Sequence, residues 1–127
     1  MKYIPTFTKS SKFDENYYDF IKALGIELEK ERLIDKYDQS KWMYIFSGLD
    51  NFLGDDQFTW LGDKNHYVYL IDELVSRDII KGKNINSKIE RYFLIKNVAQ
   101  TRYSYEPRKP DGFKVIDQLI LRALNSL

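Results

Sequence analysis

Apolar residues recur every three or four positions along most of this chain, the period of an amphipathic helix rather than of a strand. Phe13, Tyr17, Phe20, Ile21, Leu24 and Leu28 make the first stripe. With Asp14 and Glu15 suited to the positive end of a helix, they predict a helix from Asp14. Gly25 either ends this helix or is tolerated inside a longer one, and because the stripe carries on through Leu33 and Ile34 the longer helix, to about Tyr37, is the expectation. Asp38-Gln39-Ser40 reads as a turn with Ser40 as N-cap. Trp42, Ile45, Phe46, Leu49 and Leu53 give the next helical stripe, which stops near Gly54. A third stripe, Tyr67, Leu70, Ile71 and Leu74, follows a capping Asp63 and fades at Asp78. Ser87 with Glu90 three residues on has the form of a capping box. It predicts a short helix to about Asn97 with Ile89 and Phe93 as its inward pair. The last helix, about Asp111 to Leu124, presents Val115, Ile116, Leu119, Ile120 and Ala123-Leu124 on one side.

The segments between the stripes read differently. Residues 1–12, with Pro5 and a Thr/Lys/Ser run, read as a poorly ordered N-terminal arm or an extended lead-in. Phe58 to Leu61 is short, aromatic and bounded by Gly62, and Thr101, Tyr103 and Tyr105 alternate with polar residues. Both suit extended backbone. Pro107 and Pro110 exclude an unbroken helix through Arg108-Lys109. Together these patterns predict a mostly α protein, with a single helical domain over residues 13–127 and at most a small β element. Within it, residues 13–55 supply the N-terminal helices and residues 56–127 a winged-helix or helix-turn-helix-like half. The predicted core is Phe20, Ile21, Leu24, Trp42, Ile45, Phe46, Trp60, Leu70, Ile71, Leu74, Ile89, Phe93, Ile116 and Leu119.

Composition narrows the chemistry. The 127 residues are 43% hydrophobic, 16% aromatic and 31% charged, proportions of a chain that folds. With no cysteine there is no disulfide, thiol nucleophile or cysteine zinc site, and one histidine cannot build a multi-histidine metal centre. No apolar run approaches the ~20 residues of a membrane span. The first residues lack the apolar stretch of a signal peptide, so a cytoplasmic protein without a membrane partner is expected.

No catalytic arrangement stands out. Asp50, Asp55, Asp56 and Asp63 lack the alternating ligand pattern of a calcium loop, since Phe52 stands where a ligand belongs. Loop aspartates at helix ends explain them more simply. His66 falls in the first turn of a predicted helix with no serine elbow near it, and Gly48 to Gly54 holds no phosphate-loop lysine. Glu27, Glu29 and Glu31 point to different helix faces. The expectation is a non-enzymatic protein with no catalytic residue, cofactor or metal.

Charge is where the halves part. The net charge of +1 argues against a nucleic-acid partner, but its distribution does not. Residues 1–63 hold eight Lys/Arg against twelve Asp/Glu, whereas residues 64–127 hold twelve against seven. From Arg77 to Lys109, nine basic residues face only Asp78, Glu90 and Glu106. Such a run is either a solvated surface or a face for an anionic partner. Two helices, Lys64 to Arg77 and Ser87 to Asn97, joined by an irregular connector, have the outline of a helix-turn-helix. In that geometry the second helix enters the major groove. At about 100° per residue, Lys88, Arg91 and Lys96 span a broad arc with Tyr92 beside Arg91, and Ile89 and Phe93 make one narrow side about 100° round from Lys88. The extended basic stretch from Arg102 to Lys109 would then serve as a wing over the DNA backbone. A helix pair packed purely as core remains the alternative.

Trp60-x-Gly62, Leu70-Ile71-x-x-Leu74, Ile80, Ile85, Ile89 and Phe93 are followed by Arg108-Lys109, Lys114-Val115-Ile116-Asp117-x-Leu119 and Leu124. Over about residues 56–127 this series resembles the C-terminal region of the RteC family, regulators of Bacteroides conjugative transposons. Pro107, Pro110, Phe113 and Val115 depart from the family pattern, and residues 1–55 show no match to it. The resemblance implies a helical, winged-helix DNA-binding region. It predicts a DNA-binding regulator of a mobile element or phage in Bacteroides-like bacteria. The expected contacts to double-stranded DNA are Lys88, Arg91, Tyr92, Lys96, Arg102, Arg108 and Lys109. The rival is a small protein-binding adaptor or phage-encoded inhibitor that uses the aromatic excess as a partner surface.

Overall fold

The apolar stripes become the inner faces of five helices in the computed structural model, which describes residues 6–13, 16–34, 39–48, 61, 64–93, 98–99, 101 and 113–127. These are α1 (Tyr17–Lys30), α2 (Gln39–Ile45), α3 (Lys64–Ser76), α4 (Ile85–Phe93) and α5 (Phe113–Asn125). Helix α1 packs against α2 and α5, α5 also packs against α3, and α3 carries α4. The protein is mostly helical, and no sheet forms among the described residues. Of the predicted core, Phe20, Ile21, Leu24, Trp42, Ile45, Phe46, Leu70, Ile71, Leu74, Ile89, Ile116 and Leu119 are all fully buried. Trp60 and the Phe93 side chain lie outside the described residues, as do the Phe58 to Leu61 and Thr101 to Tyr105 segments except for Leu61 and Thr101. Thr101 is helical, as are Val98 and Ala99, whereas the alternation from Thr101 onward predicts extended backbone.

Two helices end by the same device, and neither uses glycine. Past α1, Arg32 takes a left-handed φ of 58°. Its amide then donates to the Glu29 carbonyl and the Leu33 amide to the Leu28 carbonyl, at 2.9 and 2.8 Å. Past α3, Asp78 at φ 59° does the same with Val75, while Ile79 donates to Leu74. This paired pattern satisfies carbonyls that the helix end would orphan, and it offsets the ~1 kcal/mol cost of a left-handed non-glycine residue. It also corrects the first helix, which stops at Lys30 rather than near Tyr37. The apolar stripe continues past the stop because Leu33 and Ile34 still pack on the core after the turn.

Two expected caps fall inside helices instead. Helix α2 begins at Gln39, so Ser40 is its second residue, and α4 begins at Ile85, so Ser87 is its third. Glu90 closes no capping box; its carboxylate accepts from the Val98 amide at 3.1 Å.

Residues 6–12 are no loose arm. Thr6 and Phe7 are fully buried, and Phe7 stacks on Phe46 with ring centroids 5.0 Å apart. The segment is held by backbone hydrogen bonds from Phe7 to Ile45, from Ser10 to Ile79 and from Lys81 to Thr8, with Lys9 and Ile80 forming an antiparallel bridge. It ties the end of α2 to the chain that leaves α3.

Buried polar atoms bind the helices to one another. The Trp42 Nε1–H of α2 donates to the Ile21 carbonyl of α1 at 2.8 Å, and the buried Tyr17 hydroxyl donates to the Phe46 carbonyl at 2.7 Å. Tyr17→Phe keeps the ring and strands that carbonyl, so it should cost about 1–2 kcal/mol, a fall in Tm of roughly 5 °C. A thermal melt unchanged within a degree or so would show that the bond contributes nothing. At the outer edge of α1 and α5, the Arg122 guanidinium reaches Glu27 at 2.9 Å and Glu31 at 3.4 Å. Exposed as they are, these pairs add well under ~1 kcal/mol each.

Candidate nucleic-acid interface

Among the described residues, the basic run places Lys81, Lys83 and Lys88 at the passage from α3 to α4. After the turn at Asp78, Ile79 and Ile80 are buried, and the exposed stretch Lys81-Gly82-Lys83-Asn84 leads into α4. A Cβ at Gly82 would lie 3.1 Å from Val75 Cγ1, so the missing side chain lets the connector run close over α3. Asn84 turns into the helix with φ 55°, a conformation Asn tolerates better than most residues, and its carbonyl accepts from the Lys88 amide at 3.1 Å.

Helix α4 does not present the expected face. Its buried residues are Lys88, at 4% exposure, with Ile89 and Tyr92, both fully enclosed, and Ile85 is partly covered. Positions 85, 88, 89 and 92 make one stripe of the i, i+3, i+4, i+7 kind. The inner side is therefore centred on Ile89 and Tyr92, and Lys88 and Tyr92 are removed from any surface that could enter a groove. Tyr92 instead meets the Phe7 ring at 6.1 Å, beneath the N-terminal segment. Of the remaining expected contacts, Arg91 is partly exposed and lies 5.6 Å over the Tyr92 ring. Lys96, Arg102, Arg108 and Lys109 lie outside the described residues. The outward positions of α4 are Ser87 and Glu90.

What gathers instead is a lysine cluster. The Lys88 stem is enclosed while its ammonium is not, which is how a long cationic side chain accommodates burial. Among the described residues it meets no carboxylate, carbonyl or hydroxyl within hydrogen-bonding or ion-pair range. Lys81 and Lys83 likewise have no ion pair there, nor do Lys9, Lys22, Arg32 and Lys114, whereas Lys12, Lys30, Arg77 and Arg122 do. Burial lowers the Lys88 pKa from its ordinary 10.5, and the charges of Lys83 and then Lys81 lower it further. No carboxylate among the described residues offsets them. Lys81 and Lys83 belong to the basic run in the sequence but not to the helix chosen for the contact face. The Lys-Gly-Lys pattern in a turn was the signal for them, and the Ile85, Ile89, Tyr92 spacing was the signal for Lys88.

Lys88 ties stability to pH in a defined direction. Between its lowered folded-state pKa and 10.5, the unfolded chain holds the proton that the folded chain has given up, so stability rises with pH. The contribution is complete above 10.5 and is lost as pH falls through the lowered value. Tyr17 and Tyr69 act the other way. Burial above all raises both phenols beyond 10.0, helped by Tyr18 for the first and by Asp117 and Glu73 for the second. Their contribution is complete below 10.0 and fades as pH climbs past it. Lys88→Met should therefore be more stable than the parent near neutral pH, with the gap narrowing as pH rises towards 10.5. Urea titrations of the two proteins at several pH values measure it, and a gap that stays constant with pH would show that Lys88 is not the group responsible.

The other polar clusters serve the fold. The Tyr69 hydroxyl donates to Asp117 Oδ1 at 2.7 Å, joining α3 to α5, and the Tyr69 ring stacks on Phe113 with centroids 4.2 Å apart. His66 sits edge-on to Phe113. Asp50, Asp55, Asp56 and Asp63 lie outside the described residues, and among the described residues no three His, Cys, Asp or Glu side chains converge as a metal site would need. No described helix is long and apolar enough to cross a membrane. In comparisons with known proteins, no family model, curated protein or solved structure matches the chain.

Proposed function

We propose that this chain is a non-enzymatic DNA-binding regulatory protein of a mobile element or phage in Bacteroides-like bacteria. In this reading it contacts duplex phosphates through the passage between α3 and α4. The observation that carries the proposal is the exposed pair Lys81 and Lys83 on the connector, close in sequence to Lys88, none of the three with an ion pair among the described residues. The helix-turn-helix reading of α3 and α4 is kept in altered form. The connector and the first turn of α4 approach the backbone, the partly exposed Arg91 adds a further cation, and Lys88 and Tyr92 take no part in reading bases. The basic stretch Arg102 to Lys109 remains the proposed wing of a winged helix. The RteC resemblance supports the same class of partner through Arg108-Lys109 and the apolar spacing around them.

An adaptor or inhibitor working through an aromatic surface draws less support, because Phe7, Tyr17, Phe20, Trp42, Phe46, Tyr67, Tyr69, Tyr92 and Phe113 are all spent on the core. An electrophoretic shift with duplex DNA across a salt series tests the proposal. Binding should weaken with a log–log slope of about −0.9 for each phosphate contacted. No shift even at low salt would overturn it.

A further inference from the structure

We infer that residues 6–12 form a strap that opens as a unit and controls the connector carrying Lys81 and Lys83. The sequence sets how firmly the strap is held. Thr-Phe-Thr-Lys-Ser-Ser-Lys offers a single apolar side chain, Phe7, where α1, α3 and α5 each bury several. That ring is fully enclosed, against Phe46 at 5.0 Å between centroids and Tyr92 at 6.1 Å. Around it the Phe7 amide donates to the Ile45 carbonyl at 2.8 Å, Ser10 to Ile79 at 3.0 Å and Lys81 to Thr8 at 2.8 Å. The last two bonds flank Lys9 and Ile80, which pair as an isolated bridge and not as a ladder. The Lys12–Asp78 ion pair at 3.9 Å is exposed and adds little. One buried ring and a few bonds place the segment at the low end of local stability, below helices that bury whole stripes.

The strap has a pivot, and its release leaves the helix packing in place. At its end the Phe13 amide donates to the Ser10 carbonyl and the Lys12 amide to Ser10 Oγ, both at 3.2 Å. The Phe13 ring packs on Tyr17 and Phe20 of α1, so the chain beyond the turn stays with that helix. Helix α2 packs on α1, α4 on α3, and α5 joins α1 to α3 without the strap. The connector does depend on it. Among the described residues, the bond from Lys81 to Thr8 is the one backbone hydrogen bond tying residues 81–83 to the rest of the fold. A closed strap therefore fixes where the two lysines stand, and an open one lets them move with their loop. That they stand against duplex phosphates rests on the DNA reading; that the strap holds them does not.

Amide hydrogen exchange of the full chain tests the strap itself. Phe7, Ser10 and Lys81 should share one protection factor, at least about a hundredfold below those of Leu24 in α1 and Ile120 in α5. Phe7→Ala should lower all three by a further common factor of about a hundred and leave Leu24 and Ile120 unchanged. If that variant fails to fold, a lock replaces it. Lys9 and Ile80 face each other as a non-hydrogen-bonded antiparallel pair, a Cα spacing of about 4.5 Å that a disulfide can span. The chain has no cysteine, so oxidised Lys9→Cys with Ile80→Cys should protect the three amides at least about tenfold better than its own reduced form. Three unrelated protection factors, or values equal to those of Leu24 and Ile120, overturn the strap.

A short DNA duplex in the second arm separates this inference from the DNA reading. Phe7→Ala alters no charge, so a fall in duplex affinity of at least about fivefold supports control of the connector by the strap. Full affinity with all three amides freed overturns that control and keeps the DNA reading. A parent that binds no duplex overturns the DNA reading, and the exchange data alone then uphold or overturn the strap.

Discussion

Trp42→Ala should destabilise the protein by about 3–5 kcal/mol, the largest loss expected from any single core substitution here. Trp42 is fully buried, and its indole meets the Phe46 ring with centroids 4.6 Å apart. It stands between α2 and α1, with its N–H donating to the Ile21 carbonyl. Truncation leaves a cavity where both helices and the Phe46 ring converge, and that ring also supports Phe7 of the N-terminal segment. Domains of this size hold only ~5–15 kcal/mol in total, so a large share of the stability would go. With a urea slope of about 1.5 kcal/mol/M, the unfolding midpoint followed by circular dichroism should fall by roughly 2–3 M. Trp42→Phe keeps most of the apolar area, loses the hydrogen bond, and should cost only about 1–2 kcal/mol. A midpoint shift under about 0.5 M for Trp42→Ala would mean that α1 and α2 are not joined through this side chain.

The second large effect is functional. Lys81→Glu with Lys83→Glu should lower duplex affinity about a hundredfold at 0.1 M salt and flatten the salt slope by about 2. Each phosphate contact releases condensed counterions, worth nearly a factor of ten at that salt, and reversal adds repulsion from the same phosphates. Both residues are exposed and neither holds an ion pair among the described residues, so the fold should be unaffected. Lys22→Glu with Lys114→Glu makes the same change in net charge at exposed positions of α1 and α5. That control should lose little affinity, because its charges are not gathered at the passage. Equal losses in the two pairs would reduce the effect to overall charge and remove the connector from the interface.

The two expectations rest on different kinds of knowledge. The helices and their buried positions were legible in the sequence, because a 3.6-residue period of apolar side chains has few other ways to be buried. Twelve of the fourteen predicted core residues are fully enclosed, and the other two lie outside the described residues. The basic run was legible too, and so was the position of the turn near Asp78.

What the pattern could not decide is where a polar residue falls when it occupies an apolar position. Lys88 reads as outward by its charge and inward by its spacing from Ile85 and Tyr92. The spacing prevails, because Phe7 arrives over that side from more than eighty residues away in the chain. The same holds for the N-terminal segment, whose Thr/Lys/Ser composition suggests a loose arm. Its order comes from hydrogen bonds to Ile45, Ile79 and Lys81, partners that local sequence cannot supply. Helix ends at Arg32 and Asp78 carry no glycine to announce them; the paired carbonyl bonds and the packing of Leu33 and Ile79 make a left-handed turn favourable there. Local periodicity thus determined the elements and most of the core. Long-range packing decided which face of α4 is buried, and so which of its charged residues reach the surface.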